Sequence, residues 1–192
     1  MSATLDVPRK KRIPASLKRR MIFLVCLLVF SLILISGGLY TAMLGEVLEE
    51  QIGKRALQVS HTVARMPLVK QQIVKAQPEG TLQKMAEEIR TEVGAEFIVI
   101  GNRNGIRFSH PKQDRIGKQM VGGDNAQALE RGESYVYKAI GTLGPSIRGK
   151  VPIFDDHGKI IGVVSVGYLQ ENVREIVYEH QIKVGILVGA LL

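Results

Sequence analysis

The chain has 192 residues, with 26 Lys and Arg against 18 Asp and Glu, and a formal net charge of +8. A nucleic-acid-binding face spreads its cations through the folded domain, but residues 1–20 hold seven cations against Asp6, a local net of +6 that leaves only +2 for the other 172 residues. Cys26 is the single cysteine, so an intrachain disulfide is excluded and the fold must rest on its core.

Arg9, Lys10, Lys11, Arg12, Lys18, Arg19 and Arg20 form a basic cytoplasmic N-terminus over residues 1–20, directly before an uncharged run over residues 21–44. A basic flank followed by an apolar run is the pattern of the positive-inside rule. At about 1.5 Å per residue, the run crosses a hydrocarbon core of roughly 30 Å with some tilt. A cleaved signal peptide has an apolar stretch of about 7–15 residues before a small-residue site. This run is longer and residues 39–43 make a poor site, so the expectation is a retained transmembrane helix, with Cys26 as a small apolar side chain within it.

Leu48, Ile52, Ala56, Val59, Val63 and Met66 recur at steps of three and four, the face of an amphipathic helix that Pro67 interrupts. Residues 81–93 read as a second helix, with Thr81 as its N-cap and Gly94 as its stop. Residues 97–100 and 106–109 flank a turn at 101–105 and read as a hairpin. Asp124 is placed to cap a short helix through Glu130, and residues 134–139, 146–154 and 159–168 read as further strands, the last two joined by the turn at 155–158. The count is five strands. Helices first, then five antiparallel strands, give an α+β domain of PAS-like type over residues 45–178, held outside the membrane.

Residues 184–192 are apolar but too few to span a bilayer alone, since about 20 are needed. Residues 179–192 are therefore read as the start of a second, truncated transmembrane helix, which returns the chain to the cytoplasm and makes the protein multi-pass. A buried terminal helix is the alternative.

Arg148 and Lys150 are two apart on a strand, so both point to one face, and Gly149 leaves the opposite face clear. The planar fork of Arg suits bidentate recognition of a carboxylate, and Lys adds a mobile point charge for a second one. Arg107 and His110 are three apart and share a face only if the chain bends after Ser109, a bend that Pro111 favours. Residues 141–144 form a turn-like loop whose backbone N–H groups can close over an anion, with Thr142 adding a hydroxyl. Charge-assisted hydrogen bonds contribute about 1.5–3 kcal/mol each, so three or four reach micromolar binding, roughly −8 kcal/mol after association costs.

Four blocks carry a family resemblance: Phe97-Ile-Val-Ile-Gly-Asn-Arg-Asn-Gly-Ile-Arg-Phe-Ser-His-Pro111, Ile116-Gly-Lys-Gln-Met-Val-Gly-Gly-Asp124, Gly141-Thr-Leu-Gly-Pro-Ser-Ile-Arg-Gly-Lys150 and Ile161-Gly-Val-Val-Ser-Val-Gly167. In this order they resemble the extracytoplasmic sensor domain of the CitA/DcuS family, bacterial membrane histidine kinases for citrate and C4-dicarboxylates, over about residues 15–192. The resemblance implies that Arg107, His110, Arg148 and Lys150 grip the ligand, that Gly141, Thr142 and Leu143 form the loop over it, that Ser165 lies on the last strand, and that Met120 and Val99 line the pocket. Val99 stands where some citrate sensors offer a hydroxyl, whereas Lys150 suits a more highly charged tricarboxylate, so citrate and the C4-dicarboxylates both stay open. It further implies a homodimer in the bacterial cell membrane, which the long juxtamembrane helix also fits. Beyond Leu192 it implies a cytoplasmic PAS domain and an ATP-dependent kinase core acting on a response regulator.

Within these 192 residues no nucleophile has a partnered base and no metal-ligand cluster stands out, so no catalytic centre, metal or cofactor is expected. His61, His157 and His180 are isolated, Asp155 and Asp156 read as turn formers, and residues 122–124 lack the Lys of a phosphate loop. A chemoreceptor or other non-kinase receptor built on the same outer domain is the alternative reading, and an anchored hydrolase is a third. The expected mechanism is ligand closure that shifts the outgoing helix relative to the incoming one.

Overall fold

A computed structural model describes residues 15–75, 80–121, 125–141, 143–171, 178–179 and 182–183. The chain divides into two compact units, Met1–Met43 and Leu44–Leu192. Helix α1 (Ala15–Arg65) supplies the described part of the first unit and the opening of the second.

In the first unit the apolar side chains of α1 are exposed, among them Phe23, Leu24, Phe30 and Ile35. The hydroxyls on this stretch bond back to their own helix, Ser31 to the Leu28 carbonyl at 2.8 Å and Thr41 to the Gly38 carbonyl at 2.9 Å. Both features suit a hydrocarbon surround, where a polar group must be satisfied internally. Residues 16–65 form the one helix, among the described residues, long and apolar enough to cross a membrane, with a mean hydropathy of 2.8 in its most apolar window.

The second unit contains α2 (Pro67–Val74), α3 (Gly80–Val93), β1 (Phe97–Asn102), α4 (Ala126–Arg131), β2 (Tyr135–Gly141), β3 (Gly144–Phe154) and β4 (Ile160–Leu169). Pro67 ends α1 as expected: Met66 is extended at ψ 128° because a following proline disfavours the helical region, and Pro67 then opens α2. Helix α3 starts at Gly80, so Thr81 lies inside its first turn and is not its cap. Gly94 closes the helix at φ +65°.

The strands form one antiparallel sheet in the order β1-β4-β3-β2. The architecture is the expected α+β one, with four strands among the described residues rather than five. Residues 106–109 do not form the second arm of a hairpin; they make only a bridge between Gly101 and Arg107 and another between Ile106 and Gln119. The reason is Ser109, whose hydroxyl donates to the Ile98 carbonyl at 3.0 Å and accepts from the Ile100 amide at 2.8 Å, taking the edge groups of β1 that a partner strand would use.

One face of the sheet is the core. Ile98, Ile100, Val151, Ile153, Val164 and Val166 pack against Val63, Val69, Ile73, Leu82 and Ala86 from α1, α2 and α3. Burying each larger aliphatic side chain stabilises by about 1.5–3 kcal/mol. Gly149 belongs to this face, and the face beside it is occupied rather than clear: a Cβ there would meet the α1 backbone at Ala56 and Leu57. The opposite face carries the alternate residues and is covered by the segment between β1 and β2.

Candidate anion-binding site

That second face holds two rows of side chains set by strand register. Phe97, Gly167 and Arg148 stand opposite one another across β1, β4 and β3, and Val99, Ser165 and Lys150 form the next row. With the covering segment and the β2–β3 loop they line one cleft of about 410 Å³, counting its open mouth. Nine of the ten residues expected from sequence line it: Val99, Arg107, His110, Met120, Gly141, Leu143, Arg148, Lys150 and Ser165. Thr142 lies outside the described residues.

The burial of these groups is decisive for their chemistry. Arg107 is 4% exposed, His110 3%, Arg148 5% and Lys150 1%. Fully buried Arg and Lys are rare unless something satisfies their charge. Three such cations around one cleft set up a strongly positive interior, suited to an anion with more than one charge.

Arg148 and Lys150 are held by identifiable neighbours. Arg148 Nε donates to Ser146 Oγ at 2.9 Å, Nη2 donates to the Ala139 carbonyl at 3.4 Å, and the guanidinium lies over the Phe97 ring at 5.6 Å from its centroid. Gly141 gives the guanidinium its room, since a Cβ there would collide with Nη2. Lys150 Nζ donates to Asn125 Oδ1 at 2.5 Å. Asn125 occupies the N-cap of α4 yet makes no side-chain cap bond, its oxygen being turned to the lysine. Asp124, expected as that cap, lies outside the described residues.

Arg107 and His110 reach the cleft because the covering segment bends after the Gly101–Arg107 bridge. Asn102 Oδ1 starts the turn, accepting from the Asn104 and Ile106 amides at 3.0 and 2.9 Å. Phe108 is tied to the Ile100 carbonyl at 2.7 Å and the His110 amide to Gln83 Oε1 at 2.8 Å, so α3 helps to place the histidine. His110 Nδ1 faces the Lys112 backbone, 2.9 Å from its amide and 3.2 Å from its carbonyl, so it accepts from the one or donates to the other according to the tautomer. Burial, with the Arg107 charge next, pushes the His110 pKa down to about 4. Burial and the Arg115 charge also lower that of Arg107. The histidine is therefore neutral at neutral pH and stays so down to about pH 4, through the acid range in which a freely titrating ring becomes the imidazolium.

Sequence reasoning missed Phe97, Ser146, Asn125 and Arg115. Ser146 carried a signal, being two before Arg148 on the same strand face. Phe97 and Asn125 carried none, since their placement depends on register and on the path of the covering segment.

The chain matches the family described as Single cache domain 3 over residues 43–181. It belongs to this family. Among curated relatives, the Sensor protein CitS of Halalkalibacterium halodurans is 47% identical over 174 residues, covering 91% of this chain and 32% of the relative. The Sensor histidine kinase CitA of Klebsiella pneumoniae is 37% identical over 154 residues, covering 80% of this chain and 28% of the relative. The chain thus spans about a third of the length of the curated relatives it matches. The crystal structure of the Escherichia coli DcuS sensor domain aligns with a TM-score of 0.63 at 33% identity, covering 71% of this chain and 98% of that one. The cache domain described here is thus the PAS-like α+β fold expected from sequence, and the resemblance to the CitA/DcuS sensors is upheld.

Proposed function

We propose that this chain is the sensing and membrane part of a two-component sensor histidine kinase, and that the cleft binds citrate or a related di- or tricarboxylate. The observation that carries the reading is the convergence of buried Arg107, Arg148 and Lys150 on one cleft with the His110 ring. Similarity to the CitS and CitA sensors, and to a probable C4-dicarboxylate sensor kinase of Bacillus subtilis, supports the ligand class.

On this reading one carboxylate takes the fork of Arg148, a second meets Lys150 or the Arg107/His110 edge, and the 141–144 loop closes over them, with Ser165 and Thr142 as hydroxyl partners and Met120 and Val99 as the walls. Residues 21–44 span the membrane, residues 45–178 form the sensor outside the cytoplasm, and residues 179–192 begin a second span. Strand β4 leads toward that second span, so ligand closure displaces the outgoing helix and biases a two-state output by differential affinity. The kinase core, a response regulator and a second copy of the chain are the partners, and no metal or cofactor takes part in ligand capture.

Thermal melting of the 192-residue chain in detergent micelles with citrate, malate, fumarate and succinate tests the binding. A ligand at 100 times its dissociation constant stabilises by about 2.7 kcal/mol. A melting temperature unmoved by every acid refutes the reading.

A further inference from the structure

The transverse row through Arg148 contains a feature that carbonyl and charge chemistry alone do not require. Phe97 on β1 is opposite Gly167 on β4, and Gly167 is opposite Arg148 on β3. Neighbouring strands lie about 4.8 Å apart, so Phe97 and Arg148 are separated by a whole strand and their side chains meet only if nothing rises between them. Gly167 provides that gap. A Cβ at position 167 would be driven into the Phe97 ring, with Cε1 and Cε2 only 2.6 and 2.8 Å away. The ring lies across the glycine, and Arg148 Cζ sits 5.6 Å from its centroid.

The guanidinium is thereby fixed in orientation as well as position. Two of its donors are directed to Ser146 and to the Ala139 carbonyl, which sets its position in the plane of the sheet row. A π face beside it sets the remaining freedom, the tilt of the plane, because the ring quadrupole attracts the cation most strongly over its face. An aliphatic side chain of similar bulk fills the space without that orienting field.

We propose that Phe97 is a positioning residue for ligand capture, holding the Arg148 fork in the plane that accepts a carboxylate, and that Gly167 is required in β4 to let the ring reach it. The proposal rests on the carboxylate reading of the cleft. Its effect falls on affinity for carboxylates, while the fold itself needs only a large apolar side chain at position 97.

The test is calorimetric titration of the 192-residue chain in detergent micelles with citrate, malate, fumarate and succinate, followed by comparison of variants on the tightest binder. Phe97→Tyr, which keeps the π face, is expected to bind within about twofold of the parent, and Phe97→Leu about tenfold more weakly while the unliganded protein still melts in one cooperative transition. Equal affinity of Phe97→Leu and the parent overturns the proposal and leaves the carboxylate reading standing. Failure of the parent to bind any of the four acids overturns both. Should Phe97→Leu not fold, the parent protein decides the matter by NMR. The Arg148 Nε–H resonance, assigned by its loss in Arg148→Lys, is expected to carry an upfield ring-current shift, and an unshifted resonance overturns the proposal.

Discussion

The hydroxyl oxygen of Ser60 on α1 lies 2.8 Å from the carbonyl oxygen of Gly149, the residue between the two cations of β3. The same oxygen accepts from the Val166 amide of β4 at 3.2 Å, so it ties the helix to β4, while its single proton is shared between the Gly149 carbonyl of β3 and the Ala56 carbonyl of α1, also 2.8 Å away. The tie is possible because Gly149 lets the α1 backbone approach the sheet directly. Gly149→Ala forces backbone to move, and we expect it to destabilise the domain by about 3 kcal/mol or more. Ser60→Ala removes the bond within a buried contact and is expected to cost about 1–3 kcal/mol. Urea unfolding followed by circular dichroism measures both, and a Gly149→Ala loss below about 1 kcal/mol would show that the helix yields without strain.

Arg148→Lys keeps the positive charge and discards the fork, the Nε bond to Ser146 and the ring contact. If geometry rather than charge grips the ligand, affinity for the tightest of the four acids drops at least about tenfold. Calorimetry on the whole chain reads this directly. A lysine variant that binds as well as the parent reduces Arg148 to a source of potential.

His110 makes the protein sensitive to acid in a defined direction. Burial first, and the Arg107 charge second, hold its pKa at about 4 against an ordinary 6.5; Arg115 acts the same way, while the Lys112 backbone and Asp114 oppose them. The unfolded chain takes up the proton first. The stability contributed by the neutral ring is therefore complete above about pH 6.5 and is lost as pH falls through about 4. His110→Gln is expected to flatten the stability profile across that window. A carboxylate placed beside the ring raises its pKa, so binding near pH 6 should take up a proton, seen as a calorimetric enthalpy that depends on the buffer. The His110→Gln variant loses this dependence; if it keeps it, another group takes the proton.

The elements that position the site were legible because periodicity carries them. Arg148 and Lys150 share a face through strand alternation alone, whereas Arg107 and His110 come to the same cleft through a bend at Phe108, directly after the Gly101–Arg107 bridge, and not through the bend after Ser109 that their spacing and Pro111 suggested. The fifth strand was misread because residues 106–109 have strand composition, whereas the hydroxyl of Ser109 competes for the very groups that would pair them. Phe97 was invisible as a partner of Arg148 because their meeting depends on two strand registers and on a glycine from a third strand. The neutrality of His110 was likewise out of reach, since burial is a property of the covering segment and not of the residue.

Lys150 and Asn125 offer a substitution whose two effects have opposite sign. The lysine is buried and its ammonium donates to the asparagine oxygen at 2.5 Å. Asn125→Asp is nearly equal in volume and replaces that oxygen with a charged one, giving the cation a carboxylate partner inside the cleft wall. A buried pair of this kind attracts strongly once both groups are in place, though desolvating the new carboxylate offsets much of the gain. The melting temperature of the unliganded protein is therefore expected to hold or rise. The new carboxylate competes with a ligand carboxylate for the same cation, so affinity for the tightest acid should fall at least about tenfold, with the loss greatest for citrate, whose third carboxylate has most need of Lys150. Thermal melting and calorimetry on one preparation give both readouts. Parallel loss of stability and affinity would mean that Asn125→Asp merely damages the wall. Unchanged affinity would remove Lys150 from the ligand grip.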